Sequence, residues 1–269
     1  MGGSPAANGL AHGFYDEPVL YDVLHAAGTQ AEIDGLRRIA RELGIDERLA
    51  WFEPGCGSGR YLRAAERRGI RVLGVDRSPE MIAYAQRRVR DPRRCRLALG
   101  DMQSADPRRL APAWRFGLAF NTINTIRHLS SDAAVLRHLE LVHASLRSGG
   151  VYVVGISLSA YGVEQPSEDV WRGARGPLRV TQVVQYEPPG RASPRRERVT
   201  SVLHIERPAG DFVLPTNYDL RTYDLRQWRT LVDRSPFEAA GCVDEQGRPI
   251  EPTEPGYALW LLRRGGLAH

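Results

Sequence analysis

The sequence contains no lysine: all 37 of its basic residues are arginine. Without that amine there is no Schiff-base nucleophile, no anchor for pyridoxal phosphate and no P-loop lysine. Aldolase-type, pyridoxal-phosphate and Walker-type nucleotide chemistry are therefore excluded. Arginine is also the better fork for carboxylates and phosphates, but its use throughout the chain points to a GC-rich coding bias. Cysteine is scarce. Cys56, Cys95 and Cys242 are odd in number and far apart, which excludes a disulfide framework or a zinc knuckle. The seven histidines show no pairing with cysteines or acids that suits a metal, so none is expected. No run approaches the roughly 18 uninterrupted apolar residues of a membrane span. The opening MGGSPAANGLAH lacks the basic start and apolar centre of a secretory signal. These absences predict a cytoplasmic protein.

What is present is ordinary globular composition, 42% hydrophobic and 26% charged over 269 residues. That length fits one to two domains and a core that needs no staples. The net charge of +5 is uneven. Residues 87–109 hold Arg87, Arg88, Arg90, Arg93, Arg94, Arg96, Arg108 and Arg109 against Asp91, Asp101 and Asp106, and the remainder is near neutral. Such a patch can touch nucleic acid, yet no aromatic residue is interleaved for base stacking. A solvated rim is the expectation.

No internal repeat is visible. Short apolar runs alternate with helical periodicity, the pattern of βαβ units on a parallel sheet. Residues 20–43 read as one helix, with Ile33, Leu36, Ile39, Ala40 and Leu43 on its apolar face and Gly44 as its stop. Strands are predicted at 49–53, 71–76, 96–99, 116–120 and 151–156. Helices are predicted at 60–68, from Ser78 (N-cap) and Pro79 to about Val89, and from Asp132 as cap to Leu146. This is a doubly wound α/β core. Beyond Ser157, period-2 runs at 178–186, 198–206 and 212–218 predict an antiparallel β lid. A helix at 225–232 and a strand at 257–262 return to the main sheet. Four segments result: 1–48, an N-terminal helical cover; 49–157, the α/β core; 158–222, the lid; and 223–269, completion of the sheet.

Three motifs carry chemistry. Glu53-Pro54-Gly55-Cys56-Gly57-Ser58-Gly59 sits between a strand and a helix, where glycines let backbone turn tightly and approach a ligand. The helix start beside it favours a negative group. Asp76 ends the next strand, 21 residues after Gly55, where a carboxylate can accept both hydroxyls of a ribose. Asp101-Met102 ends the third strand, where an acid can accept an exocyclic amine while a backbone N–H serves a ring nitrogen.

E-P-G-C-G-S-G followed by G-V-D and L-G-D-M resembles the class I methyltransferases that use S-adenosylmethionine (SAM). The resemblance covers residues 15–157 well and 224–263 more loosely. It implies a seven-stranded, mostly parallel Rossmann-like sheet with an inserted antiparallel lid. It also implies that Glu53, Gly55, Cys56 and Gly57 hold the methionine portion, Asp76 the ribose, with Arg77 and Met81 beside it, and Asp101 with Met102 the adenine. Asn121 matches the position where backbone approaches the methionine portion. Tyr15 and Tyr21 resemble the aromatic segment that closes over the cofactor. Ser148-Gly149-Gly150 resembles the turn before strand five.

The sequence departs from the family pattern in two places, the first of which leaves the cofactor reading unchanged. Gly117 stands where many relatives begin strand four with an acid. Asn121-Thr122-Ile123-Asn124 is not the Asn-Pro-Pro-aromatic signature of enzymes that methylate base amines, and a Pro-Cys pair for cytosine C5 is absent. The sequence thus favours an N or O atom of a small molecule over nucleic acid, with no membrane partner. His128 is the candidate general base, because imidazole titrates near neutrality. Asn124, Arg127, Tyr161 and His204 are candidate substrate contacts. Two other readings are weighed. A nicotinamide-dependent oxidoreductase would need G-x-G-x-x-G, but the third glycine of G-C-G-S-G comes one residue early. A non-catalytic SAM- or nucleic-acid-binding module would use the 87–109 arginines.

Overall fold

The structure is a computed structural model that describes residues 17–265; Tyr15 lies outside them. Strands β1 (Ala50–Pro54), β2 (Val72–Asp76), β3 (Cys95–Leu99), β4 (Phe116–Asn121) and β5 (Leu146–Leu158) run parallel. Strand β11 (Gly256–Arg263) pairs antiparallel with β5, and β10 (Glu238–Val243) antiparallel with β11. Among the described residues this sheet has seven strands in the order β10-β11-β5-β4-β1-β2-β3. The chain runs outward from β1 to β3 and then returns to the other side of β1 as β4. That reversal leaves a crevice outside the carboxyl ends of β1 and β4, where open α/β sheets bind ligands.

The parallel strands read as continuous apolar runs because both faces are covered. On β5, Tyr152 and Val154 join Phe52 and Leu73 beneath helices α6 (Asp132–Ser145) and α7 (Leu225–Arg234). Val151 and Val153 point the other way, to Trp51 and Phe120 under α2 (Thr29–Glu42) and α3 (Arg60–Arg67). Trp228 of α7 is fully buried, edge-on to Tyr223 at 5.7 Å and to Trp260 at 6.1 Å. Trp228→Ala is expected to cost about 3–5 kcal/mol, read as a lower denaturation midpoint at unchanged slope. A loss under about 1 kcal/mol would contradict close packing of this layer.

A second, antiparallel sheet of four strands joins β6 (Ser167–Arg175), β7 (Leu178–Glu187), β8 (Arg196–Glu206) and β9 (Phe212–Arg221). It stands over the carboxyl-end crevice, where its residues line a cavity together with those of the parallel strands.

Several local expectations need correction. The single helix over 20–43 is two, α1 (Pro18–His25) and α2, because Gly28 turns left-handed at φ +79°. Ser131, not Asp132, caps α6, its hydroxyl accepting from the Ala134 N–H at 3.2 Å. Asp132 instead accepts from Arg195 and Arg221, each at 2.9 Å. Ser78 does cap helix α4 (Pro79–Gln86), accepting from the Met81 N–H at 3.1 Å. Strands β6 and β10 had no sequence signal, since nearly all of β6 and the first four residues of β10 are exposed and no apolar alternation marks them.

Candidate active site

The loop after β1 carries three left-handed glycines, Gly55 at φ +75°, Gly57 at +51° and Gly59 at +72°. A side chain at Gly55 would put its Cβ 2.8 Å from the Thr125 methyl, so only glycine lets this loop pass beneath the segment after β4. Asp76, at the tip of β2, ties the loop down. One carboxylate oxygen accepts the Gly57 N–H at 2.7 Å and the other the Ser78 N–H at 2.9 Å. A carboxylate offers about four lone-pair directions, so acceptor capacity remains toward the crevice. Burial raises the Asp76 pKa, with the Ser78 and Gly57 amides pulling the other way.

At the tip of β3, an Asp101 oxygen accepts the Gln103 N–H at 2.8 Å and shapes the turn. The Met102 carbonyl is fixed by a residue the sequence did not single out. His138 on α6 has Nδ1 2.8 Å from that oxygen and Nε2 2.7 Å from the Tyr152 hydroxyl. A carbonyl can only accept, so Nδ1 carries the proton and the hydroxyl donates to Nε2. Burial pushes the His138 pKa down to about 4, which keeps that neutral form. Nothing local in the sequence marked this histidine, because its partners lie 36 and 14 residues away.

Among the described residues, two buried oxygens at the tips of β1 and β4 have no hydrogen-bond partner: Glu53 Oε2 and Asn121 Oδ1. Glu53 is 6% exposed and Asn121 2%, and the Asn121 amide nitrogen is spent on the Pro54 carbonyl at 2.8 Å. Burial raises the Glu53 pKa well above the ordinary carboxylate range, although the nearby Arg60 opposes this. Arg60 donates to Thr29 Oγ1 at 2.8 Å and to Glu32 at 2.7 Å. Glu53, Cys56, Arg60, Tyr61 and Asn121 line a small recess that shares Tyr21, Gly55 and Arg60 with a much larger cavity.

The larger cavity, about 820 Å³, brings together Tyr21, Gly55, Gly57, Asp76, Arg77, Met81, Asp101, Met102, Asn124, Arg127 and His128. Its far wall is the second sheet, which contributes Asp169, Trp171, Gln182, Tyr186, Glu197 and Tyr218. Sequence reasoning missed this wall. Burial pushes Tyr21 up to about 12, and its ring lies 4.5 Å from that of His25. Burial pushes His128 down to about 4, assisted by Arg77 and Arg127, and its ring lies 5.7 Å from Tyr218.

Other candidates lie differently. Arg127 lines the cavity, but its guanidinium meets Glu197 at 2.8 Å and the Arg221 carbonyl at 2.9 Å. Asn124, itself left-handed, clasps Ser157 through both amide atoms. Tyr161 is not at the cavity; its hydroxyl bonds Thr222 and Gln227. His204 is exposed, because Leu203 and Ile205 on either side of it face the core and strand alternation sends it to solvent. Several arginines of 87–109 have local partners: Arg88 lies over Tyr84, Arg96 over Trp114, and Arg94 and Arg108 pair with Asp91 and Asp106.

Residues 52–150 match the family model of a methyltransferase domain. Over those residues the chain carries a methyltransferase domain. No curated protein matches it significantly. Among solved structures it is similar to a sugar N-methyltransferase from Streptoalloteichus, at 20% identity over 98% of both chains and a TM-score of 0.72. A SAM-dependent methyltransferase from Clostridium acetobutylicum is similar at 16% identity, over 94% of this chain and 96% of that one, with a TM-score of 0.71. A SAM-bound amino pentose methyltransferase from Micromonospora echinaspora, involved in calicheamicin biosynthesis, is similar at 20% identity, over 91% and 95%, with a TM-score of 0.68. At these identities the likeness speaks for the fold. The methyltransferase is thus an enzyme whose cofactor is SAM, and the oxidoreductase and non-catalytic readings give way. Among the described residues of the methyltransferase, no helix is long and apolar enough to cross a membrane.

Proposed function

We propose that this methyltransferase moves the methyl group of SAM onto the nitrogen of a small, hydroxylated amine held between the strand tips and the second sheet. The observation that carries the reading is the continuity of the cavity. It runs from Asp76 and Asp101 at the strand tips to a polar wall of Asp169, Tyr186 and Tyr218 beside the half-exposed ring of Trp171. Carboxylate and hydroxyls suit an ammonium and its neighbouring hydroxyl groups, and an exposed indole suits the apolar face of a ring. The Streptoalloteichus and Micromonospora proteins act on sugar or amino pentose acceptors, which supports this class.

The residues present fit the cofactor. The unpartnered oxygens of Glu53 and Asn121 are acceptors of the kind an ammonium requires, the Gly55–Gly59 loop leaves room for backbone approach, and Asp76 retains acceptor directions for a ribose. In this reading Glu53, Gly55, Cys56, Gly57 and Asn121 surround the methionine portion. Asp76, Arg77 and Met81 surround the ribose, Asp101 and Met102 the adenine, and Tyr21 covers the sulfur. Segments 49–157 and 223–269 form the cofactor core, 158–222 the acceptor side, and 1–48 the cover.

When bound, SAM supplies a methyl carbon already made electrophilic by its sulfonium. The protein then has to align the nucleophile and exclude water. His128 accepts a hydrogen bond from the incoming nitrogen, which has to enter as the unprotonated amine. With its pKa at about 4 it is neutral at pH 7 and able to accept. Activity that depends on it is lost as pH falls through about 4, not near 6.5. His128→Asn is expected to lower kcat about a hundredfold while S-adenosylhomocysteine (SAH) binding is retained; an unchanged kcat would remove His128 from the mechanism.

The acceptor class is tested by incubating the enzyme with trideuteromethyl-SAM, a panel of amino sugars and their hydroxyl-only counterparts, followed by mass spectrometry. Label on the amines alone is the expected result. Label on the hydroxyl-only sugars would move the reading to oxygen, and label on neither would contradict the small hydroxylated acceptor.

A further inference from the structure

Resting on that reading of the cavity, we infer that Asp22 is a positioning residue that couples the cofactor loop to the acceptor wall. Asp22 lies on α1 and is 2% exposed. One carboxylate oxygen accepts from the Ser58 hydroxyl, within the glycine loop, at 3.1 Å, and from Arg63 of α3. The other accepts from the Tyr84 hydroxyl of α4 at 2.8 Å and from Arg175 of β6 at 2.7 Å. Arg175 also donates to the Tyr84 hydroxyl at 2.9 Å, which closes the network. Four elements therefore meet on a single side chain.

Two further contacts place α1 beside β6, neither of them a hydrogen bond. Gly173 of β6 has no side chain where a Cβ would collide with the Val23 carbonyl on α1, so the backbones seat directly on each other. The ring of His25 on α1 lies 5.9 Å from that of Trp171 on β6. Strand β6 also carries Asp169 into the cavity, and α1 carries Tyr21, whose ring lies 3.6 Å from where a Cβ on Gly57 would stand. Movement of the glycine loop on taking up cofactor is thereby transmitted through Ser58 and Asp22 to α1, and through Arg175 to the acceptor wall. Stability alone does not call for this arrangement. A buried carboxylate is costly unless fully bonded, and a well-packed apolar residue serves as well or better where only packing matters.

Hydrogen exchange with and without SAH tests the coupling, since Arg175 is the one of the four donors that comes from the second sheet and it is 43% exposed. In the wild type, SAH is expected to slow exchange in the glycine loop, in α1 and in β6 together. In Arg175→Ala it should still slow the loop and α1 as in the wild type, but slow β6 clearly less, and Arg175→Lys should restore part of the β6 response. Asp22→Asn should weaken SAH about tenfold; if that variant does not fold, the Arg175 pair decides alone. Equal protection of β6 in wild type and Arg175→Ala would overturn the coupling, as would SAH binding to the wild type that leaves β6 unprotected. Failure of the wild type to bind SAH at all would instead overturn the cofactor reading beneath it.

Discussion

Asp76→Ala should weaken SAH binding by about a hundredfold or more, the sum of two losses each typical of hydrogen bonds to a charged group. The first loss is the direct acceptor for the ribose hydroxyls. The second lies within the protein. The Gly57 and Ser78 amides, held at 2.7 and 2.9 Å, lose their carboxylate, and the glycine loop is no longer tied to the tip of β2. Asp76→Asn keeps one acceptor oxygen and should fall between the two. Calorimetric titration with SAH reads the series directly. An Asp76→Ala affinity within about threefold of wild type would mean that the β2 tip does not face the cofactor.

Glu53→Gln should move stability and affinity in opposite directions. The folded-state pKa of Glu53 is raised by burial. Its ionised form is therefore disfavoured in the fold. The cost is absent below the unfolded carboxylate pKa of about 4.3 and grows as pH rises toward the folded value. A neutral glutamine removes that cost, so the unliganded variant should melt a few degrees higher at pH 7, and the difference should vanish near pH 4. Binding of an ammonium beside Glu53 favours the carboxylate, so wild-type SAH affinity should rise with pH and its binding should release protons. The glutamine variant should bind about tenfold more weakly, with that pH dependence flattened. A variant that melts lower at pH 7 and binds SAH as wild type does would contradict both halves of the argument.

The parts of this enzyme that were legible in the sequence are those whose cause is local. Glycines at 55, 57 and 59 announce left-handed backbone, and Asp76 and Asp101 announce themselves by standing at the ends of apolar runs. The Ser78-Pro79 helix start was readable for the same reason. What was not legible depends on pairing across distance. Strand β6 carries Asp169, Trp171 and Arg175, yet it is exposed along most of its length and shows no alternation. His138 and Asp22 act through partners up to 36 and 153 residues away. Arg127 and Asn124 line the cavity, but the sequence could not show that Glu197 and Ser157 would occupy their polar atoms. His204 lies on the solvent face of β8, and which of the two faces an alternating strand turns to the cavity is fixed by pairing across the sheet.

A crystal structure of the enzyme soaked with SAH addresses the shared grip of the strand tips most directly. The adenine should lie against Asp101 and Met102, the ribose on Asp76, and the amino group between Glu53 and Asn121, with the sulfur facing His128 and the second sheet. Density for SAH outside this crevice, or within it but with the ribose away from Asp76, would contradict the account.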